Sequence, residues 1–236
     1  MILSIKNQKE LNDLVDSLAL EIVDANIYHR LLVDLSNAIE ENQRAYNHSK
    51  TYWYLTTEAL KDSILLHLCR FFDQEKSSLC LYNLLYTIRH HVNFFDKESF
   101  KQRLKDNPFV ESLAELDRLP ELKQLNIDIE FSSNSNPTVK KLIIWRNNII
   151  AHKASKNVLK KNHILEKHPL SMDEIQSLLD EGFNILNRYL YLYKASSWSR
   201  QIIGHDDYKS LFTFMNLGLE KWDMDRKEEL ERLRKG

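Results

Sequence analysis

The chain has 236 residues, 43% of them hydrophobic, and its 33 Lys and Arg against 34 Asp and Glu leave a formal net charge of -1. That is enough apolar material for one sizeable core, and the balanced charge excludes a polycation or polyanion throughout. Four glycines and four prolines provide too few breaks for many short strands and tight hairpins, no apolar run approaches the roughly 18 to 20 residues of a membrane span, and Met1 to Asn7 lack a signal peptide's apolar core, so an all-α, cytoplasmic protein without membrane contact is expected.

Apolar residues from Leu11 to Ile39 recur at steps of three and four, which predicts one long helix or two joined helices over about 7–47. After the polar segment from Glu41 to Lys50, a second helix carries Trp53, Thr56, Leu60, Ile64, His67 and Phe71 along one face. His67 on that stripe reads as a hydrogen-bonded core histidine, since no further ligands complete a metal set around it. Cys69 and Cys80 lack Cys-x-x-Cys spacing and sit among leucines and aromatics, so both are read as buried free thiols. Arg70 and Asp73, three apart, are expected to form an ion pair on the helix surface.

Leu79 to His90 form a further apolar-periodic run, ending in His90-His91, whose side chains point about 100° apart on a helix and are poorly placed to share one metal. Short helices are predicted across Asp96 to Lys105, Phe109 to Arg118 and Pro120 to Gln124, and Ser132 to Asn136 reads as a loop. Asn136 followed by Pro137 marks a helix start, because the asparagine can accept from a free backbone amide and the proline has none to lose. Ser171 with Glu174 forms a capping box for a core helix from Ile175 to Tyr193. Asp206-Asp207 are read as capping carboxylates of a last helix, and the tail pairs Glu228 with Arg232 and Glu231 with Lys235 at helical spacing, so 220–236 is expected to be a solvated C-terminal helix of a single domain spanning 1–236.

Chemistry concentrates after Asn136. From Pro137 to Leu165 there is no Asp or Glu, while Lys140, Lys141, Arg146, Lys153, Lys156, Lys160 and Lys161 fall there. Arg146 stands where the stripe of Val139, Leu142 and Ile149 calls for an apolar residue, so it is either in a structural salt bridge, to Asp73 or to the 206–207 acidic pair, or it faces a site. His152 follows by six residues, roughly 9 Å along an ideal helix. The chain has no Gly-rich phosphate loop, no nucleophile elbow, no His-Glu-x-x-His and no paired Glu-x-x-His helices, and no metal or other cofactor is expected.

Arg146-Asn-Asn-Ile-Ile-Ala-His152 matches the Arg-polar-x4-His signature and resembles that of HEPN domains, a helical superfamily of nucleotide-binding and ribonuclease proteins. The wider order is similar to the abortive-infection U-type, AbiU-like branch: Arg70-Phe-Phe-Asp73 closing one helix, a leucine-rich helix, the Arg-to-His motif, Ile185-Leu-Asn-Arg-Tyr189 and a late Asp206-Asp-Tyr208. The resemblance implies a HEPN-like helical bundle with additional peripheral helices, and a metal-independent endoribonuclease acting as an anti-phage toxin. It implies a homodimer in which two copies of the motif meet. In that reading Arg146 neutralises charge on the scissile phosphate, His152 moves the proton, Asn147 orients one of them, and Lys140, Lys141, Lys153, Lys156, Lys160 and Lys161 collect RNA. The other reading is a HEPN-like dimer that holds RNA, nucleotide or protein without turnover. The resemblance leaves room for an antitoxin or regulatory partner. In one HEPN branch a partner modifies a tyrosine two residues beyond the motif histidine, but position 154 here is Ala, so control by that route is not expected.

Overall fold

The computed structural model describes residues 2–150, 164–201, 204 and 206–235, and among them the regular structure is helical, with no strand. The helices are α1 (Gln8–Glu41), α2 (Gln43–His48), α3 (Lys50–Phe71), α4 (Leu81–His90), α5 (Lys97–Arg103), α6 (Val110–Leu113), α7 (Leu122–Phe131), α8 (Pro137–Trp145), α9 (Ile164–Lys167), α10 (Met172–Lys194) and α11 (Tyr208–Lys235). A 3-10 turn covers Val92–Phe95 and a π-helical turn covers Arg146–Ile150. Among the described residues, no helix is long and apolar enough to cross a membrane.

The chain divides into two compact units, one of residues 1–26 with 64–200 and the other of residues 27–63 with 201–236. In the first, Leu11, Val15, Leu18 and Ile22 of α1 are buried, as are Ile64, Leu68, Phe71 and Phe72, Leu81, Leu84, Leu85 and Ile88 of α4, and Leu178, Leu179, Ile185 and Leu186 of α10. Spacing by three and four puts each set on one face of its helix, and burial of those faces is the main stabilising term.

Gly182 is required on α10, because a Cβ there would stand 2.8 Å from Phe71 Cε1 and 3.2 Å from Phe72 Cζ. The missing side chain lets α10 approach the aromatic pair that immediately precedes Asp73. The C-terminal end of α10 is capped by arginines: Arg103 donates to the Tyr193 carbonyl at 2.6 Å and Arg118, 2% exposed, donates to the Tyr191 carbonyl at 3.0 Å. Arg103 thus serves a carbonyl of the last turn, where a helix runs out of amide partners, and Arg118 adds a second donor to the Tyr191 carbonyl, which also accepts from the Ala195 amide at 2.9 Å. Farther back on α10, Arg188 and the Tyr189 hydroxyl both reach Asp128 of α7, at 2.5 and 2.6 Å, and Gln124 donates to the other carboxylate oxygen at 2.8 Å. Asp128 is 1% exposed, and three donors make its burial tolerable.

In the second unit Trp53 stacks on Phe212 with ring centroids 4.8 Å apart, Asn216 donates to Asn42 at 2.8 Å, and Arg44 bridges to Asp223 at 2.5 Å. From Met224 to Lys235 every residue of α11 is exposed, and Glu228 lies 3.9 Å from Arg232.

Several expectations change in detail. The long N-terminal run takes the second of its two expected forms, the consecutive helices α1 and α2, but the polar segment near Lys50 is itself largely helical. The helix expected over Phe109 to Arg118 shrinks to Val110–Leu113, because the chain turns so that Arg118 can fold back onto the Leu113 carbonyl at 2.6 Å. The short helix expected at Pro120 to Gln124 instead runs over Leu122–Phe131, with Leu125 and Ile129 buried.

Candidate functional site

The site grows from the start of α8. Asn136 Oδ1 accepts from the Thr138 amide at 2.9 Å, Pro137 takes the first turn, and Val139 and Leu142 are both fully buried. This start fixes which face of α8 enters the core. Lys141, on another face, donates to Glu174 at 2.6 Å, and Glu174 also closes the capping box with Ser171 at the start of α10. The hydrogen bond from Lys141, reinforced by the Ser171 amide, holds the Glu174 carboxyl below the usual carboxylate range.

At Arg146 the α-helix gives way to a single π turn. Asn148 donates its side-chain amide to the Ile144 carbonyl at 2.7 Å, supplying a donor to an acceptor in the widened turn. The indole of Trp145 donates to the His168 carbonyl at 2.7 Å, which ties the head of the turn to the segment before α10. Single π turns recur at functional sites.

Arg146 is the first residue of that turn. It does not sit in the core stripe that its spacing predicts, since its side chain is 32% exposed, at the rim. Its Nη2 lies 3.1 Å from Asp73 Oδ2, and Nη1 donates to Asn147 Oδ1 at 3.3 Å. Among the described residues these are its hydrogen-bond partners, so most of the five donor hydrogens of the guanidinium are uncommitted there.

Asp73 is held firmly. Its side chain is 9% exposed; Oδ1 accepts from the amides of Gln74 at 2.7 Å and Glu75 at 3.1 Å, and Oδ2 accepts from the Ser78 hydroxyl at 2.8 Å. Gln74 donates in turn to the Ser132 carbonyl at 2.9 Å, and Asn83 of α4 donates to the carbonyls of Glu75 and Ser78, both at 2.9 Å. The 73–80 segment is thus a built cradle whose carboxylate orients Arg146. Beneath it, burial pushes the Cys69 thiol up to about 12 although the charge of Arg146 opposes the shift. That thiol is inert at neutral pH. Cys80 is also a buried free thiol, pushed up to about 11 by burial.

The expected pair between Arg70 and Asp73 is corrected. α3 ends at Phe71, so Asp73 lies beyond the helix and helical spacing no longer relates the two. Arg70 instead lies 3.7 Å from Glu21, which also holds His67 Nδ1 at 2.7 Å, the hydrogen-bonded role expected for that histidine.

Of the residues predicted for the site, Arg146 and Asn147 are adjacent and bonded, and Asn147 is exposed. Lys140 is exposed on α8, whereas Lys141 is engaged by Glu174. His152, Lys153, Lys156, Lys160 and Lys161 lie outside the described residues. Asp206, a rival partner for Arg146, lies 3.4 Å from Lys209. Among the described residues, no group of three or more His, Cys, Asp or Glu is arranged to hold a metal ion. The helper residues missed in the sequence are Gln74, Ser78 and Asn83. Their signal is the polar turn Asp73-Gln-Glu-Lys-Ser-Ser78 between two apolar helices, which reads as a loop without revealing that every group converges on one carboxylate.

Among known families, a model of HEPN_AbiU2, described as AbiU2, matches residues 8–212. No curated protein and no solved structure matches the chain significantly.

Proposed function

The chain belongs to the AbiU2 family of HEPN proteins, and from that premise we propose that it is a metal-independent endoribonuclease, an abortive-infection effector whose site is built on Arg146, Asn147 and His152. The observation that carries the reading is the Arg146 arrangement: a guanidinium at the rim, oriented by a buried carboxylate, with donors left for a phosphate.

In this reaction the ribose 2′-oxygen attacks the adjacent phosphorus as the bond from phosphorus to the 5′-oxygen breaks. His152 takes the 2′-hydroxyl proton or delivers one to the leaving 5′-oxygen, and the imidazole's unperturbed pKa of about 6.5 suits both tasks. Arg146 stabilises the charge gathering on the non-bridging oxygens, and Asn147 steadies Arg146. Products are a 2′,3′-cyclic phosphate and a 5′-hydroxyl. Two protomers bring two copies of the motif together, and Lys140 with Lys153, Lys156, Lys160 and Lys161 gathers the polyanion, so binding weakens as salt rises.

A second reading has one observation in its favour. Arg146 already has a carboxylate in its own subunit, which is what a structural ion pair or a non-catalytic RNA-binding HEPN dimer would show. The two readings separate when cellular RNA is incubated in EDTA with wild type, Arg146→Ala and His152→Ala. The ribonuclease reading expects cleavage by wild type and a loss of at least about a hundredfold in each variant, the scale of removing an electrostatic or acid-base group. Equal cleavage by the variants overturns the assigned site, and RNA binding without cleavage by wild type selects the binding dimer.

A further inference from the structure

We infer that the stripe of α4 outside its buried face, made of half-buried Tyr82 and Tyr86 with exposed Arg89 and continued by exposed His90 and half-buried His91 and Phe94, is a stacking platform for unpaired bases of single-stranded RNA. The inference rests on the ribonuclease reading and assigns a track along which its substrate lies.

Most of α4 is core: Leu81, Leu84, Leu85 and Ile88 are buried, and so are Asn83 and Thr87. Positions 82, 86 and 89, spaced by four and three, form the remaining face, and aromatic and cationic groups occupy it in place of the carboxylates and lysines of an ordinary solvated face. The rings of Tyr82 and Tyr86 lie 4.8 Å apart, and the Arg89 guanidinium covers the Tyr86 ring at 4.3 Å, itself steadied by Asn126 of α7 at 3.2 Å. At the end of the helix His90 is exposed, and His91 stacks on Phe94 with ring centroids 5.0 Å apart and planes 24° from parallel. Rings and a guanidinium presented in succession, with no side chain specifying a base edge, are what sequence-tolerant binding of unpaired nucleotides uses.

Charge agrees. From Lys76 to Phe95 there is no Asp or Glu, although the chain carries 34 of them, and the fixed positive charges Lys76 and Arg89 fall in the same stretch, while burial and neighbouring His90 hold His91 towards its neutral form. The hydrogen bond that the Tyr82 hydroxyl donates to Tyr86, with burial, raises the Tyr82 phenol to about 12, so it stays neutral beside a phosphate at physiological pH. Location agrees too, because the stripe begins four residues after Ser78, at the end of the segment that cradles Asp73 and orients Arg146. A guanidinium laid on a ring also occurs at the structural arginines Arg103 and Arg118, so what sets this stripe apart is the run of rings together with the absence of acid over the whole stretch.

The test measures binding of a fluorescein-labelled, 2′-O-methylated single-stranded RNA of about a dozen nucleotides, which cannot be cleaved by its own 2′-oxygen. Replacing both tyrosines by Phe keeps the rings and is expected to leave Kd within about twofold. Replacing both by Leu keeps apolar bulk and is expected to weaken binding roughly fivefold or more for each base unstacked. A double-stranded form of the same RNA is expected to bind more weakly than the single strand. Wild-type affinity in a folded Leu variant, or equal affinity for the duplex, overturns the platform and leaves the ribonuclease reading standing, whereas no binding of any RNA by wild type overturns both. Should the Leu variant not fold, photocrosslinking of 4-thiouridine RNA to wild type decides: adducts on Tyr82 or Tyr86 support the platform, and adducts confined to other segments overturn it.

Discussion

Asp73 and Arg146 form an unequal pair, and the inequality is measurable. Removing Arg146 leaves Asp73 with the Gln74 and Glu75 amides and the Ser78 hydroxyl, whereas removing Asp73 strips those donors and the guanidinium of their common acceptor. Arg146 is about one-third exposed, and water screens what remains, so Arg146→Ala is expected to cost only about 1 kcal/mol. Asp73→Ala is expected to cost about 2 to 4 kcal/mol by urea unfolding, since several partly buried donors lose one carboxylate. Equal costs would contradict the cradle. Sequence spacing named Arg146 as a misplaced charge and Asp73 as one of its two candidate partners, but it also paired Asp73 with Arg70. That pairing assumed an unbroken helix, and two residues of turn after Phe71 were enough to void it.

Two contacts between elements set where the cradle stands. Gly182 admits Phe71 and Phe72 against α10, and Gly182→Ala would place a methyl 2.8 Å from a ring atom that has little freedom to yield. Overpacking costs typically about 1 to 3 kcal/mol, against a helix-propensity gain of about 1, so the variant is expected to melt at a lower temperature than wild type. A higher melting temperature would show that the aromatic pair is free to move. The second contact is the clasp from Lys141 on α8 to Glu174 at the start of α10. Because the folded carboxyl is held below its ordinary value of 4.5, the native state binds fewer protons than the unfolded chain. The contribution is therefore fully present above about that pH and is lost as pH falls through the lower folded value. Lys141→Met is expected to shrink this acid-side loss in urea titrations, and an unchanged acid limb would sink the assignment. The α10 capping box and the Asn136-Pro137 start of α8 were legible in sequence because each is written in adjacent residues. The close approach at Gly182 was not, since it depends on Phe71, Phe72 and Ile22 from far along the chain, and no pattern of adjacent residues marked the π turn at Arg146.

At the scale of the whole molecule, few glycines and prolines and a recurrent three-and-four periodicity made the all-α class readable, the Arg146-to-His152 motif and the order of motifs around it carried the AbiU-like HEPN resemblance, and the family match over residues 8–212 agrees with both. The division into two compact units was not readable, because α1 and α3 each contribute residues to both and no linker composition marks the change. The proposed activity depends on whether Arg146, held by Asp73, acts on a phosphate attacked by its own ribose. The direct measurement is cleavage in EDTA of an end-labelled RNA alongside a 2′-deoxy copy, with Arg146→Ala as the comparison. The account predicts 2′,3′-cyclic phosphate and 5′-hydroxyl ends from the RNA, no cut in the deoxy copy, and at least about a hundredfold slower cleavage by the folded variant. Cleavage of the deoxy copy, or an undiminished rate in Arg146→Ala, would contradict it.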